Sequence, residues 1–241
     1  MNINDLEEKI RQSESMSLSA AFPILMRKVY LWMAMALAIS GLTAYSVAMS
    51  PGLIQLIYSS QLGIWAIIIA ELVLVWKISN SVAKENRSLA TTTLMFIIFS
   101  ALNGVTLSSI FVLFAPAAIV KTFVITAGTF GVMAAYGYFT SRDLTKIGGL
   151  LFMALIGVII ASVVNMFLHS SGLDLVVSII GVLVFVGLTA WDSQQIKMSL
   201  AMAPDLGEAS QKLAVTGALS LYLDFVNLFL YLLRFFGGNR D

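Results

Sequence analysis

Seven stretches of this chain stay apolar for about the 20 residues that a helix needs to cross the hydrocarbon layer of a bilayer. They fall at roughly residues 29–49, 62–79, 89–114, 117–139, 147–168, 174–196 and 213–236. In lipid every backbone N–H and C=O needs an internal partner, so only helices and closed barrels can span. A barrel would announce itself as segments of about ten residues of alternating hydrophobicity, and the sequence has none. The expected fold is an all-α integral membrane protein with seven transmembrane helices. Composition agrees, since 59% of the 241 residues are hydrophobic and 11% charged, against about 25% charged in a soluble domain.

The spans leave two regions, a polar tail over 1–26 and a transmembrane domain over 27–241. The tail mixes both signs of charge and lacks the basic start and immediate apolar core of a signal peptide, so it is expected to be retained. "INDLEEKIRQ" reads as a short surface helix or as a solvated segment. Connections such as "SPGLIQLIYSSQ", "NSVAKENR" and "TSRDLTK" are too short for a soluble domain. The longest, "KMSLAMAPDLGEASQ", joins the last two spans. Pro51, Pro116 and Pro204 sit in or beside connections, where helix boundaries would put them.

Orientation follows the Lys and Arg. With the N-terminus inside, Lys9, Arg11, Arg27, Lys28, Lys77, Lys84, Arg87, Arg142, Lys146, Lys197 and Lys212 gather on the inner side, 11 of the 14. Lys121, Arg234 and Arg240 stay outside, unless a re-entrant last segment returns the final two. The tail is expected in the cytoplasm and the protein in a bacterial cytoplasmic (inner) membrane. A net charge of +1 with no basic tract points away from nucleic acid as a partner. The absence of cysteine removes disulfides and thiolate chemistry.

Three acids lie well inside spans: Glu71 in "IIIAELVLVW", Asp192 in "LTAWDSQQIK" and Asp224 in "SLYLDFVNLFLYLLRFFGG". A charge there costs a few kcal/mol on insertion scales, so such residues face a bundle interior and mark ion or proton paths. Three- and four-residue steps place Gly217, Ser220, Asp224, Asn227 and Tyr231 on one stripe of the last helix. Ser178, Gly181, Phe185, Thr189, Asp192 and Gln195 align likewise on the helix before it. If the two stripes meet, the carboxylates repel by roughly 4 kcal/mol at about 4 Å and an effective dielectric of about 20. They would then share one proton and titrate as a unit. A bridged pair ties the two helices, and an ionised pair pushes them apart. The same oxygens, with Asn227, Ser220 and Gln195 nearby, suit transient contact with a hard cation such as calcium, although spacing does not select calcium over protons or sodium.

Plainer readings stand beside these. Asp192 can reach the interface and pair with Lys197, Asp224 can be a hydrogen-bonded packing residue, and Glu71 lies on an apolar face with Ile64, Ile67, Ile68 and Val75. His169, in an outer connection, carries no site by itself. One His and no Cys leave little for an intramembrane hydrolase, and no GxGD motif surrounds either aspartate, so no enzyme and no cofactor is expected.

"ALSLYLDFVNLFLYLLRFFG" closely resembles the last-helix signature of the transmembrane Bax inhibitor motif family. "AWDSQQIK" resembles that family's acid-bearing sixth helix, and "ELVLVW" its acidic position in the second. The resemblance implies six helices around a central C-terminal one, with Asp192 and Asp224 as a pH sensor and gate and Glu71 at the family's acidic position. It implies a pH-sensitive calcium leak, with suppression of cell death in eukaryotic relatives. A bacterial relative that looks like a modulator of a membrane-bound AAA protease keeps a regulator of another membrane protein as the alternative, beside a proton-coupled exchanger. Some members pair an arginine at the end of the second helix with the aspartates. The matching position here, near Val82, is not basic, which leaves Lys84 or Arg87 to substitute. The expected partners are the bilayer, calcium and protons, with another membrane protein under the regulator alternative.

Overall fold

The computed structural model describes residues 3–84 and 86–236, with side chains from Ala21 onward except Gln61. Among these residues the regular structure is entirely helical: α1 (Ile3–Ala48), α2 (Pro51–Tyr58), α3 (Gln61–Ser79), α4 (Leu89–Leu113), α5 (Pro116–Phe139), α6 (Thr145–Leu168), α7 (Ser171–Ala201) and α8 (Glu208–Phe236). All but α2 are long and apolar enough to span, α1 over Ala21–Ala48. The boundaries are chemical. Ser60, Ser88 and Ser170 accept N-terminal N–H groups of α3, α4 and α7, and prolines open α2 and α5, where a missing N–H costs nothing. His169, with φ 47°, turns the chain after α6.

α1 runs unbroken from Ile3, with Pro23 within it, so the polar tail continues as helix into the first span. Two expectations of the sequence are revised. "SPGLIQLIYSSQ" contains the short helix α2. The long connection shrinks to residues 202–207, because α7 and α8 both continue past their apolar stretches through residues of good helix propensity. Asp205 closes that turn by accepting from the Gly207 N–H at 2.8 Å.

α8 is the axis of the bundle. Within its most apolar window 67% of residues are buried, against 6% for α3. It packs against α7, α1, α5, α4 and α3, while α6 packs on the outer side of α7. The core is therefore largely the surface of α8, with Leu219, Leu221, Tyr222, Leu228 and Leu233 fully enclosed. Without a hydrophobic drive between helices in lipid, close approach does the work. Gly104 lets α4 settle on the Ser40 backbone of α1, and Gly137 lets α5 meet the Ala190 carbonyl of α7.

At the end of the bundle holding the α3–α4, α5–α6 and α7–α8 turns, polar side chains tie elements together. Lys28 donates to Gln211 at 2.7 Å, and Lys197 to the Tyr138 carbonyl at 2.7 Å. Lys212 donates to the Arg87 carbonyl at 3.0 Å and Glu208 accepts from the Leu89 N–H. At the other end the one salt bridge among the described residues joins Arg234 to Asp174 at 3.5 Å, half exposed.

Candidate functional site

The last two helices are held at short range by side chains seated on glycines. Tyr231 of α8 lies over Gly181 of α7 and stacks on Phe185 with ring centroids 5.8 Å apart. Farther along, Ile196 of α7 lies over Gly217 of α8, 3.1 Å from where a β-carbon would stand. Between these two contacts the carboxyl groups of Asp192 and Asp224 come within hydrogen-bonding reach of each other.

Asp224 is 4% exposed, and its Oδ2 has no hydrogen-bond partner. That combination is costlier for a carboxyl group than for the Thr122 and Ser178 hydroxyls and the Trp191 Nε1, which are buried without a partner as well. Ser100, Thr126 and Thr189 each return their hydroxyl to a carbonyl four residues back, the ordinary solution for a hydroxyl in lipid. Asp224 therefore is not explained as a satisfied packing residue. Nor does Asp192 pair with Lys197, whose ammonium is taken by the Tyr138 carbonyl and ring.

A model of the family described as "Inhibitor of apoptosis-promoting Bax1" matches residues 23–241. The chain belongs to the Bax inhibitor family. It is 46% identical over 217 residues to "Inner membrane protein YbhL" of Escherichia coli (strain K12), covering 89% of this chain and 92% of that one. It is 47% identical over 214 residues to an uncharacterized protein of Borreliella burgdorferi, covering 89% and 91%. A further relative, "Uncharacterized protein RP147" of Rickettsia prowazekii, is 42% identical over 216 residues, covering 90% of each.

Other residues of this Bax inhibitor family protein fall differently from the sequence's stripes. Gln195 turns from Asp224 toward α6, with its amide 3.4 Å from the Thr145 hydroxyl, because its place on the edge of the α7 stripe faces the neighbouring helix. Asn227 spends its amide on the Leu223 carbonyl of its own helix at 2.8 Å. Ser220 stays half-buried one turn before Asp224. No cluster of three or more His, Asp or Glu side chains forms among the described residues, so a cation at the pair would meet two carboxyl groups and neutral oxygens. The basic latch is formed by neither candidate. Lys84 sits 5.5 Å from the Trp76 ring, and Arg87 donates to the Lys77 carbonyl at the end of α3, which claims the guanidinium first.

Glu71 lies apart from the aspartates in a second polar network. Thr106 donates to its Oε1 at 2.7 Å, and the Asn103 side chain lies beside it. Asn103 Oδ1 accepts from the Tyr222 hydroxyl at 2.8 Å, which also lies 2.7 Å from Ser40 Oγ. Sequence reading missed Tyr222, Ser40, Asn103 and Thr106. The usable signal was Asn103, an amide in the apolar run "FSALNGV".

Proposed function

We propose that this protein is a pH-sensitive calcium leak of the bacterial inner membrane, gated by the Asp192 and Asp224 pair. The observation that carries the reading is the buried carboxyl contact between α7 and α8, with one Asp224 oxygen left unpartnered. A carboxyl pair holding one proton bridges its helices through a short hydrogen bond. Losing that proton leaves two like charges in a medium of low dielectric, repelling by several kcal/mol, and the seam loosens. An opened pair offers anionic oxygens to a hard cation without the ligand number that would trap it, which suits passage. Calcium is the substrate in this scheme, and Glu71 is a further station along the path. The excess of Lys and Arg at the end carrying Lys28, Lys84, Arg142 and Lys212 supports a cytoplasmic position for that end and the N-terminal tail.

The test is calcium uptake by liposomes containing the purified protein, stepped from acidic to alkaline buffer. We expect a leak in the wild type that responds to pH, and one that no longer responds in Asp224→Asn. A wild type that passes no calcium under any condition would overturn the reading and favour a non-transporting regulator. Its partner among membrane proteins would then be sought by co-purification.

A further inference from the structure

Tyr222 and Asp224 are two positions apart, so at 3.6 residues per turn their side chains leave α8 on nearly opposite sides. Asp224 faces α7. Tyr222 faces α1 and α4, is fully buried, and is flanked edge-on by Phe96 at 6.0 Å and Phe99 at 5.7 Å. Its hydroxyl is the only polar atom of the ring and it is doubly engaged, with Asn103 Oδ1 at 2.8 Å and Ser40 Oγ at 2.7 Å. Ser40 in turn lies 2.7 Å from the Ser100 carbonyl.

The order of donors gives this chain a direction. A phenol has one hydrogen, and here it goes to Asn103 Oδ1. The amide NH2 of Asn103 is then the group left to donate to the Glu71 carboxyl, which Thr106 also supports. A group on α3 is thereby linked through α4 to the central helix. When Glu71 gains a proton or a cation it stops drawing on Asn103, and the amide no longer holds its oxygen toward Tyr222. Any roll or tilt of α8 that draws Asp224 away from Asp192 must likewise pull the Tyr222 hydroxyl from its two partners, because both sit on one rigid helix.

We propose that Tyr222 is the positioning residue of the gate: through Asn103 it ties the orientation of α8, and so the contact of Asp224 with Asp192, to the load on Glu71. This rests on the leak reading above. Among the described residues the ionisable groups facing the system are Asp192 from α7 and Glu71 from α3. α1 and α4 supply only Ser40, Ser100, Asn103 and Thr106, and α5 presents Phe123 and Phe130 to α8.

The experiment compares Tyr222→Phe, which keeps the ring, with wild type in calcium liposomes, each with and without Glu71→Gln. Loss of a buried hydrogen bond predicts a leak about fivefold to tenfold faster at the pH where the wild type is closed, and a shifted pH profile. Glu71→Gln should alter the wild-type profile and leave that of Tyr222→Phe unchanged. Asn103→Leu, which cuts the same link from α4, should behave as Tyr222→Phe does and serves if the latter fails to fold. A second readout needs no transport. The chain has no cysteine, so nitroxide labels on Met49→Cys and Phe235→Cys report the α1 to α8 distance alone. We expect a narrow distribution in the wild type and a broadened one in Tyr222→Phe. Unchanged distances, or an equal effect of Glu71→Gln in both backgrounds, would overturn the inference. Absence of any wild-type leak would sink the transport reading, while the distances would still decide the role of Tyr222.

Discussion

The ring of Tyr231 on α8 fills the space that a side chain at Gly181 of α7 would need, with ring carbons 2.7 Å from the position of a β-carbon. This contact and its counterpart, Ile196 over Gly217, set the spacing at which the buried Asp224 faces the half-buried Asp192.

Gly181→Ala should therefore push α7 and α8 apart. Overpacking a close contact of this kind costs about 1–3 kcal/mol. Gly149, on α6, has open space where its β-carbon would go, so Gly149→Ala should be neutral or stabilising by up to about 1 kcal/mol through helix propensity. Thermal unfolding in detergent separates the two, with Gly181→Ala melting below wild type and Gly149→Ala at or above it.

The aspartates should act as one unit. Asp192→Asn and Asp224→Asn are each expected to remove the pH response of calcium flux, and the double variant to add little to either. Asp143 provides the control. The Thr145 hydroxyl and then its backbone N–H hold this exposed carboxyl below the ordinary value of 3.8. Its contribution is thus complete above that value and is lost only as pH falls through the lowered one. Asp143→Asn should leave the flux profile near neutrality as in wild type, and a changed midpoint would count against the aspartate pair as its source.

Gln194 clamps the turn between α5 and α6, accepting from the Leu144 N–H at 2.9 Å and donating to the Arg142 carbonyl at 2.8 Å. Gln194→Ala strands both groups near a buried side chain, for a loss of about 1–3 kcal/mol. A melting temperature equal to wild type would show that water replaces the clamp.

Lys212 is 4% exposed and gives its ammonium to the carbonyls of Arg87 and Lys84. Lys212→Met keeps the bulk and removes the donor. Amide hydrogen exchange over residues 81–88 should accelerate while that of the α8 core stays slow. Equal exchange in both proteins would assign the order of this turn to other contacts.

Much of this architecture was legible in the sequence because apolar length and Ser or Pro boundaries are local signals. The spans from residue 62 to 168 end within about two residues of α3 to α6. Polar helix was not legible. The extensions of α1, α7 and α8 beyond their apolar stretches carry no hydropathy signal to separate them from loops, and the apolar α2, at 8 residues, is too short to stand out as a span. Asp192 and Asp224 stood out because a carboxyl group in an apolar run is rare. Their neighbours did not, since three- and four-residue spacing defines a face but not which neighbour each edge of it meets. Gln195 went to Thr145 for that reason. Tyr222 and Ser40 are commonplace in membrane helices, and only three-dimensional packing reveals that they share a hydrogen bond across 182 positions of sequence.

The helix that fills the middle of the bundle follows the other six spans along the chain. Those six enter the membrane before the helix at their centre has been made, and Asp192 enters before Asp224 exists. Translation halted before α8 leaves six helices with no centre and an acid with no counterpart, so the arrival of α8 is the step that converts inserted helices into a folded protein. Biogenesis and the proposed gate thus converge on one seam: the contact that a pH change would loosen under that proposal is the one that closes the fold.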